Sequence, residues 1–292
     1  MKKIFVYIFL IFVLVQSPAF AIKIGLQTGM VSVKVGSSTD ASIVNINNSK
    51  ILYTLDGMQN YEFKAYKNLI ALKYKKDYYN LKTNQIAIIP VSSTGFVRAK
   101  NRWYRGELRI ININGKLNVI NKLNIEDYIR GVVPSEMPSG WEYEALKAQA
   151  VAARSYALAN LGKRASQGYD LKDTPEDQAY GGASAEKLKT NRAVKETESV
   201  VIIYDLKIIP AYYSASAGGQ TKNASDVWTR DLPYIKSVPS FDDNIKKNGH
   251  GIGMSQHGAN NLAKQGYSYP QILRHFYKNI QFARIKQTYY KW

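Results

Sequence analysis

The chain has 292 residues, 40 Lys and Arg against 22 Asp and Glu, 45% hydrophobic content and a formal charge of +18 at neutral pH. That length and apolar content suit one large domain or two modest ones with a real core, and exclude a disordered polyelectrolyte or a low-complexity fibre. With no cysteine, the chain has no disulfide framework, thiol nucleophile, thiolate metal site or lipid-modified N-terminal cysteine.

The chain opens with Met1-Lys2-Lys3, an apolar run from Ile4 to Val15, and then Ser17-Pro18-Ala19-Phe20-Ala21. A short positive start, an apolar stretch of about a dozen residues and an A-x-A site form the pattern of a secretory leader. A membrane-spanning helix needs ~20 apolar residues. The expectation is therefore cleavage near Ala21, no retained transmembrane anchor, and an exported protein of the cell envelope. Export removes nucleic acid as the natural partner of so basic a chain. Envelope polymers remain, such as peptidoglycan carboxylates or teichoic phosphates; lysines that only keep an exported protein soluble are the competing explanation.

From Ile22 to about Ile120 the dominant period is two. Val31, Val33 and Val35 alternate with Ser32 and Lys34, and Ile43-Val44-Asn45-Ile46 continues the strand composition. Residues 107–113 and 116–120 flank Asn114-Gly115, a type I′ hairpin signature because both turn residues need positive φ. Helices follow. Asn124 and Asp127 have N-cap spacing for a short helix through Tyr128 to Arg130, stopped by Gly131. Residues 141–161, stopped by Gly162, predict a longer helix whose apolar face runs through Leu146, Ala150, Ala153, Ala157 and Leu161. Small side chains let neighbours approach closely, so this helix is expected to be central and buried. A further helix over 185–196, a strand over 199–204, a turn at Asp205-Leu206-Lys207 and a returning strand over 208–213 come next. Helices over 255–264 and 270–277 close the chain, the second capped by Ser268 with Pro270 in its first turn. The fold class is α+β: a leader over 1–21, a β-rich region over 22–121, and a mixed helix and strand portion over 122–292. Neither a repeat nor a proline-rich linker marks the boundary near Lys122.

Three segments combine glycine, small hydroxyls and ionisable groups. Gly131 to Gly140 (GVVPSEMPSG) places Glu136 between Pro134 and Pro138, on backbone with little freedom. A carboxyl held there and desolvated has the raised pKa that a general acid needs, while a solvent-facing charge at a helix start fits the same position. Ala211 to Thr221 (AYYSASAGGQT) runs into Ser214, Ser216, Gly218 and Gly219, which either present N–H groups and hydroxyls to a ligand or make a glycine-rich turn. Gly249 to Ala259 (GHGIGMSQHGA) sets glycines around His250 and His257, with Ser255 suited to cap the next helix and Gln256 beside it. This is not the dinucleotide-binding pattern, the histidine spacing is not that of a helical metal pair, and no G-x-S-x-G elbow supports a serine nucleophile. Gln149 and Arg154, on the alanine-rich helix, are either scaffolding or substrate contacts, since buried polar groups need partners. The 22 Tyr and 4 Trp suit stacking on sugar rings, although strand preference accounts for most of the tyrosines.

These segments, in this order, resemble the SpoIID/LytB family, which includes the sporulation stage II protein D and an enhancer of a cell-wall amidase. The resemblance rests on LNIEDYIRGVVPSEM (Leu123 to Met137), ALKAQAVAARSYAL (Ala145 to Leu158), QAYGG (Gln178 to Gly182), AYYSASAGGQT, DVW (Asp226 to Trp228), GHGIGMSQHGA and the tail YPQILRHFY. It implies a peptidoglycan lytic transglycosylase that cuts glycan strands stripped of stem peptides, with Glu136 as the only catalytic residue. Gln149, Arg154, Ser214, Ser216, Gly218, Gly219, His250, Ser255 and Gln256 would line the glycan cleft. One carboxyl group suffices for lytic cleavage, because the sugar's own C6 hydroxyl attacks and an anhydro-muramyl end results. The alternative that the resemblance implies is a non-catalytic, glycan-binding enhancer of a cell-wall amidase or other wall hydrolase. Zinc-binding members carry a histidine and cysteines around the Gly-Gly segment. Ser214 and Ala217 stand there in this chain, so no metal and no cofactor are expected.

Overall fold

The computed structural model describes residues 21–228 and 231–285. The expected leader lies outside them, apart from Ala21, which opens the first strand. Strands β1 (Ala21–Met30), β2 (Ser32–Ser37), β3 (Ala41–Asn45), β4 (Ile51–Leu55), β5 (Asn60–Tyr66) and β6 (Leu69–Tyr74) come first. They are followed by β7 (Asp77–Asn80), β8 (Gln85–Pro90), β9 (Val97–Ala99), β10 (Arg102–Tyr104), β11 (Glu107–Ile113) and β12 (Lys116–Asn124). With β13 (Leu171–Lys172) they build two sheets, ordered β13-β1-β12-β11-β8-β3-β4 and β10-β9-β2-β5-β6-β7, whose inward side chains share one core.

The period of two produces this arrangement. Val33 and Val35 on β2, Phe63 on β5, and Leu108 and Ile110 on β11 are buried, while Ser32 and Lys34 are exposed. Val31 precedes β2 and is exposed, so the inward set begins at Val33. The expected hairpin forms between β11 and β12: Ile113 pairs with Lys116, and Asn114 and Gly115 take φ of 51° and 77°. Buried Asn112 anchors it, donating to the Lys67 and Leu69 carbonyls and accepting from the Gly115 amide. β12 runs through Lys122 unbroken, and β1 pairs with β12 on one side and β13 on the other, so the ladder crosses the boundary expected there.

Helices α1 (Ile125–Glu136), α2 (Tyr143–Ala159), α3 (Leu188–Glu196), α4 (Gln256–Lys264) and α5 (Tyr269–Phe276) follow β12, interleaved with short strands. These are β14 (Val200–Tyr204), β15 (Lys207–Ile208), β16 (Tyr213–Ser214), β17 (Met254–Ser255) and β18 (Gln281–Arg284). The expected central helix is α2, with Leu146, Ala150, Ala153 and Ala157 buried. It ends two residues early, at Ala159, leaving Leu161 exposed. Ser255 caps α4 by accepting from the Gly258 amide, and Ser268 forms a capping box with Gln271 on α5.

Two local expectations change. Asn124 does cap α1, but the helix does not stop at Gly131; it continues through Pro134 to Glu136. Proline here lies in the last turn and removes only one backbone bond, and the Ser135 hydroxyl donates to the Gly131 carbonyl at 2.7 Å. A Cβ at Gly131 would lie 2.5 Å from the Tyr180 ring, so this glycine serves close packing. The returning strand after β14 is shorter than expected, because Pro210 has no N–H for the ladder. Its far end instead becomes β16, which pairs in parallel with β17.

A buried ion pair joins the helical elements. Arg154 on α2 is fully buried and bidentate to Glu126 on α1, at 2.8 and 2.7 Å, and donates to the Val200 carbonyl on β14. Glu126 also accepts from the Ser199 amide. Among the described residues no helix is long and apolar enough to cross a membrane. Arg154→Ala leaves the Glu126 carboxylate buried without its cation, and is expected to lower stability by about 3–5 kcal/mol in urea denaturation.

Candidate active site

Glu136 is the last residue of α1, and its Oε1 accepts from the Ala179 amide at 2.6 Å. Tyr213 on β16 and Gln256 at the start of α4 also donate to it. Burial pushes the carboxyl above its ordinary value, and the bonds from Ala179, Tyr213 and Gln256 pull it back only in part. The negative end of the helix dipole acts in the same direction as burial. Three distant segments of chain therefore converge on one acid whose pKa is raised.

Each donor is itself held. The Tyr213 hydroxyl accepts from Gln178 Nε2 at 2.8 Å, and Gln178 Oε1 accepts from the Tyr128 hydroxyl. Burial drives Tyr213 far above its usual range, so it stays a neutral donor. Gln256 Nε2 donates to Gln149 Oε1 at 3.3 Å. Ala179 follows Gln178, and the Gly181 amide donates to the Gly131 carbonyl, which docks this segment on the end of α1.

Glu136 lies in a cleft of about 560 Å³ whose lining includes Tyr156, Tyr212, Tyr213, Ser214, Trp228 and His250. The Trp228 ring sits 4.5 Å from Tyr212 and 5.5 Å from His250, centroid to centroid, forming an aromatic wall. His250 Nδ1 accepts from the Ile252 amide at 2.9 Å, and the ring donates to the Tyr213 backbone. Burial lowers its pKa. Both nitrogens are committed in a neutral ring, so His250 shapes the wall rather than moving protons.

The remaining predicted site residues divide. Ser214 lines the cleft with a buried hydroxyl that has no partner among the described residues. Gln149 is fully buried and reaches Glu136 only through Gln256. Arg154 is not a substrate contact: it is 0% exposed and spent on Glu126. Ser216, Gly218, Gly219 and Ser255 are also outside the cleft lining. Ser216 is buried and donates to the Lys246 carbonyl. The Gly-Gly pair, at φ of 74° and 97°, curls around the carboxylate of Asp242, which accepts from the Ala217 and Gly219 amides and the Ser240 and Ser255 hydroxyls. These donors do present themselves to an anion, but the anion is the protein's own. Burial opposes the charge on Asp242, yet the four bonds outweigh it and hold its pKa low.

Asp177, in the same cleft, had no individual signal in the sequence. Its carboxylate is 0% exposed and accepts from Lys163, Arg164, the Lys172 amide and the Tyr156 hydroxyl. Burial raises its pKa, but these donors prevail and it stays low. Tyr212, Tyr213, Trp228 and Gln178 were likewise visible only inside motifs of the resemblance, since bare tyrosine, tryptophan and glutamine carry no spacing signature. Among the described residues no three His, Asp or Glu side chains converge to hold a metal.

Residues 113–204 match the SpoIID family model, described as stage II sporulation protein, and this bears out the resemblance read from the motifs. The matched stretch takes in Glu136 and Gln178 but ends before β16. An uncharacterized protein of Brachyspira hyodysenteriae is 41% identical over 136 residues, covering 46% of this chain and 37% of that protein. The amidase enhancer of Bacillus subtilis is 42% identical over 107 residues, covering 37% of this chain and 14% of the enhancer. The chain thus spans well under half the length of these two relatives. Stage II sporulation protein D of Bacillus amyloliquefaciens is 27% identical, with 56% of this chain and 75% of that protein covered.

Because the Tyr213 hydroxyl favours ionised Glu136, Tyr213→Phe is expected to raise the Glu136 pKa further, read by carbon-13 NMR of the labelled carboxyl. The folded state also holds the Glu136 proton above the pKa of the unfolded chain, so ionisation weakens folding as pH rises through that window. Glu136→Gln is therefore expected to melt no lower than the native protein at neutral pH, with any gain vanishing below about pH 4.

Proposed function

We propose that this chain, with its SpoIID region, is an exported peptidoglycan lytic transglycosylase in which Glu136 is the single acid/base. The observation that carries the reading is the desolvated carboxyl of Glu136, with its raised pKa, at the aromatic cleft. An ordinary glycosidase needs a second carboxylate as nucleophile or base. A carboxylate offers about four acceptor positions, and those of Asp177 are filled by four donors. Glu176, which also lines the cleft, is paired with Lys172 and Arg164. In this reading the substrate supplies its own nucleophile.

In that chemistry the Glu136 carboxyl gives its proton to the glycosidic oxygen as the C1–O bond breaks. The muramyl C6 hydroxyl attacks C1, forming the anhydro ring, and returns its proton to Glu136. No water is consumed and the enzyme is restored. Aromatic faces of Trp228 and Tyr212 suit the apolar faces of sugar rings. Next to His250 in the chain, a Cβ on Gly251 would lie 3.4 Å from the Lys247 ammonium, and the Lys222 amide donates to the Gly251 carbonyl. Neither lysine has a carboxylate partner among the described residues, which suits the free lactyl carboxylates of a strand without stem peptides.

A second reading has one observation in its favour, the 42% identity to a protein named amidase enhancer. There Glu136 would be a glycan contact and a wall amidase would do the cutting. Incubation with denuded glycan strands and mass spectrometry of the products separates the two. The transglycosylase reading expects anhydro-muramyl ends from the native protein and about 10²–10⁴-fold fewer from Glu136→Gln. Glycan binding without such products would favour the enhancer.

A further inference from the structure

A second cleft lies in the β-rich region, away from the residues that surround Glu136. It opens between the edge strand β4 of one sheet and β5–β7 of the other, with a volume of about 350 Å³. Leu55 and Leu72, both buried, form its floor. Its sides are Tyr53, Tyr74 and Tyr79, exposed at 48%, 57% and 48%. Packing alone would cover such rings, and nothing in the described fold does so.

The walls are fixed. Tyr74 and Tyr79 meet edge to face at 6.3 Å, and Tyr61 is pinned through its hydroxyl, which accepts from the Asp56 amide at 2.9 Å. Tyr61 and Tyr74 also border a neighbouring depression of about 390 Å³ that holds Lys34, Lys73 and Lys75 with Glu62 as its sole acid. Only Lys73 of these lysines is ion-paired to Glu62 among the described residues, at 3.4 Å. The surface therefore offers rigid ring faces, phenolic hydroxyls and an adjoining shelf of surplus positive charge.

We propose that this groove is a second binding site, for an acidic sugar polymer, that anchors the protein to the wall independently of Glu136. A sugar ring has an apolar face for the tyrosines and hydroxyls for Asp56 and the phenols, while carboxylates spaced along the strand fall on the lysine shelf. An apolar protein segment would fill the groove but leave the shelf unmatched. The inference rests on the wall-directed reading above.

The test uses Glu136→Gln protein, which leaves strands intact, in co-sedimentation with purified sacculi freed of stem peptides. Adding Tyr53→Ala and Tyr74→Ala, at exposed positions that support no core, is expected to weaken sedimentation about tenfold or more, equivalent to ~1.4 kcal/mol. The same pair in the native background should leave cleavage of short soluble glycan fragments unchanged. Equal sedimentation with and without the tyrosines overturns this site alone. No sedimentation by either protein overturns the wall-directed reading as well. Unchanged sedimentation with lost binding to a purified wall amidase assigns the groove to a protein partner and likewise overturns the proposal.

Discussion

The carboxylate of Asp242 is the tie on which the far wall of the cleft depends. It draws four donors from three stretches of chain: the Gly218-Gly219 turn, Ser240 and Ser255. Hydrogen bonds to a charged group contribute about 1.5–3 kcal/mol each, so this cluster is strong enough to hold loops that have little regular structure. Ser255 both bonds to Asp242 and caps α4, and β16 lies beside β17. Tyr213 and Gln256 consequently arrive together at Glu136. The glycines permit the turn, but the charge determines where it closes.

The acid itself expresses a balance of opposed terms. Burial and the end of a helix favour the protonated carboxyl, whereas three donors favour the carboxylate. Burial prevails over the donors, and the carboxyl stays above its ordinary value. Asp177 shows the other outcome within the same cleft, where cations and an amide prevail over burial. The neighbouring His250 is removed from proton transfer by having both ring nitrogens bonded.

The two clefts are built on different principles. Around Glu136 the aromatic wall comes from short irregular segments fastened by polar bonds. In the β-rich region the tyrosines continue the inward face of regular strands past the point where the opposing sheet ends. The first can place single atoms; the second offers surface.

Local pattern alone determined much of this molecule. The period of two fixed the β-rich region, Asn114-Gly115 the hairpin, the alanine stripe the buried α2, and Ser255 and Ser268 the helix starts, because each depends on neighbours within a few residues. Glu136 stood out through its flanking prolines and the motif around it. What the chain order could not show was which polar residues face outward into the cleft. Arg154 and Ser255 look like ligands in sequence, yet each found its partner inside the protein, in Glu126 and Asp242, which lie 28 and 13 residues away. Tyr213, Gln178 and Trp228 became site residues only when distant segments met. Pairing of charges and burial of a carboxyl are properties of three-dimensional neighbours, so the tertiary structure decided them.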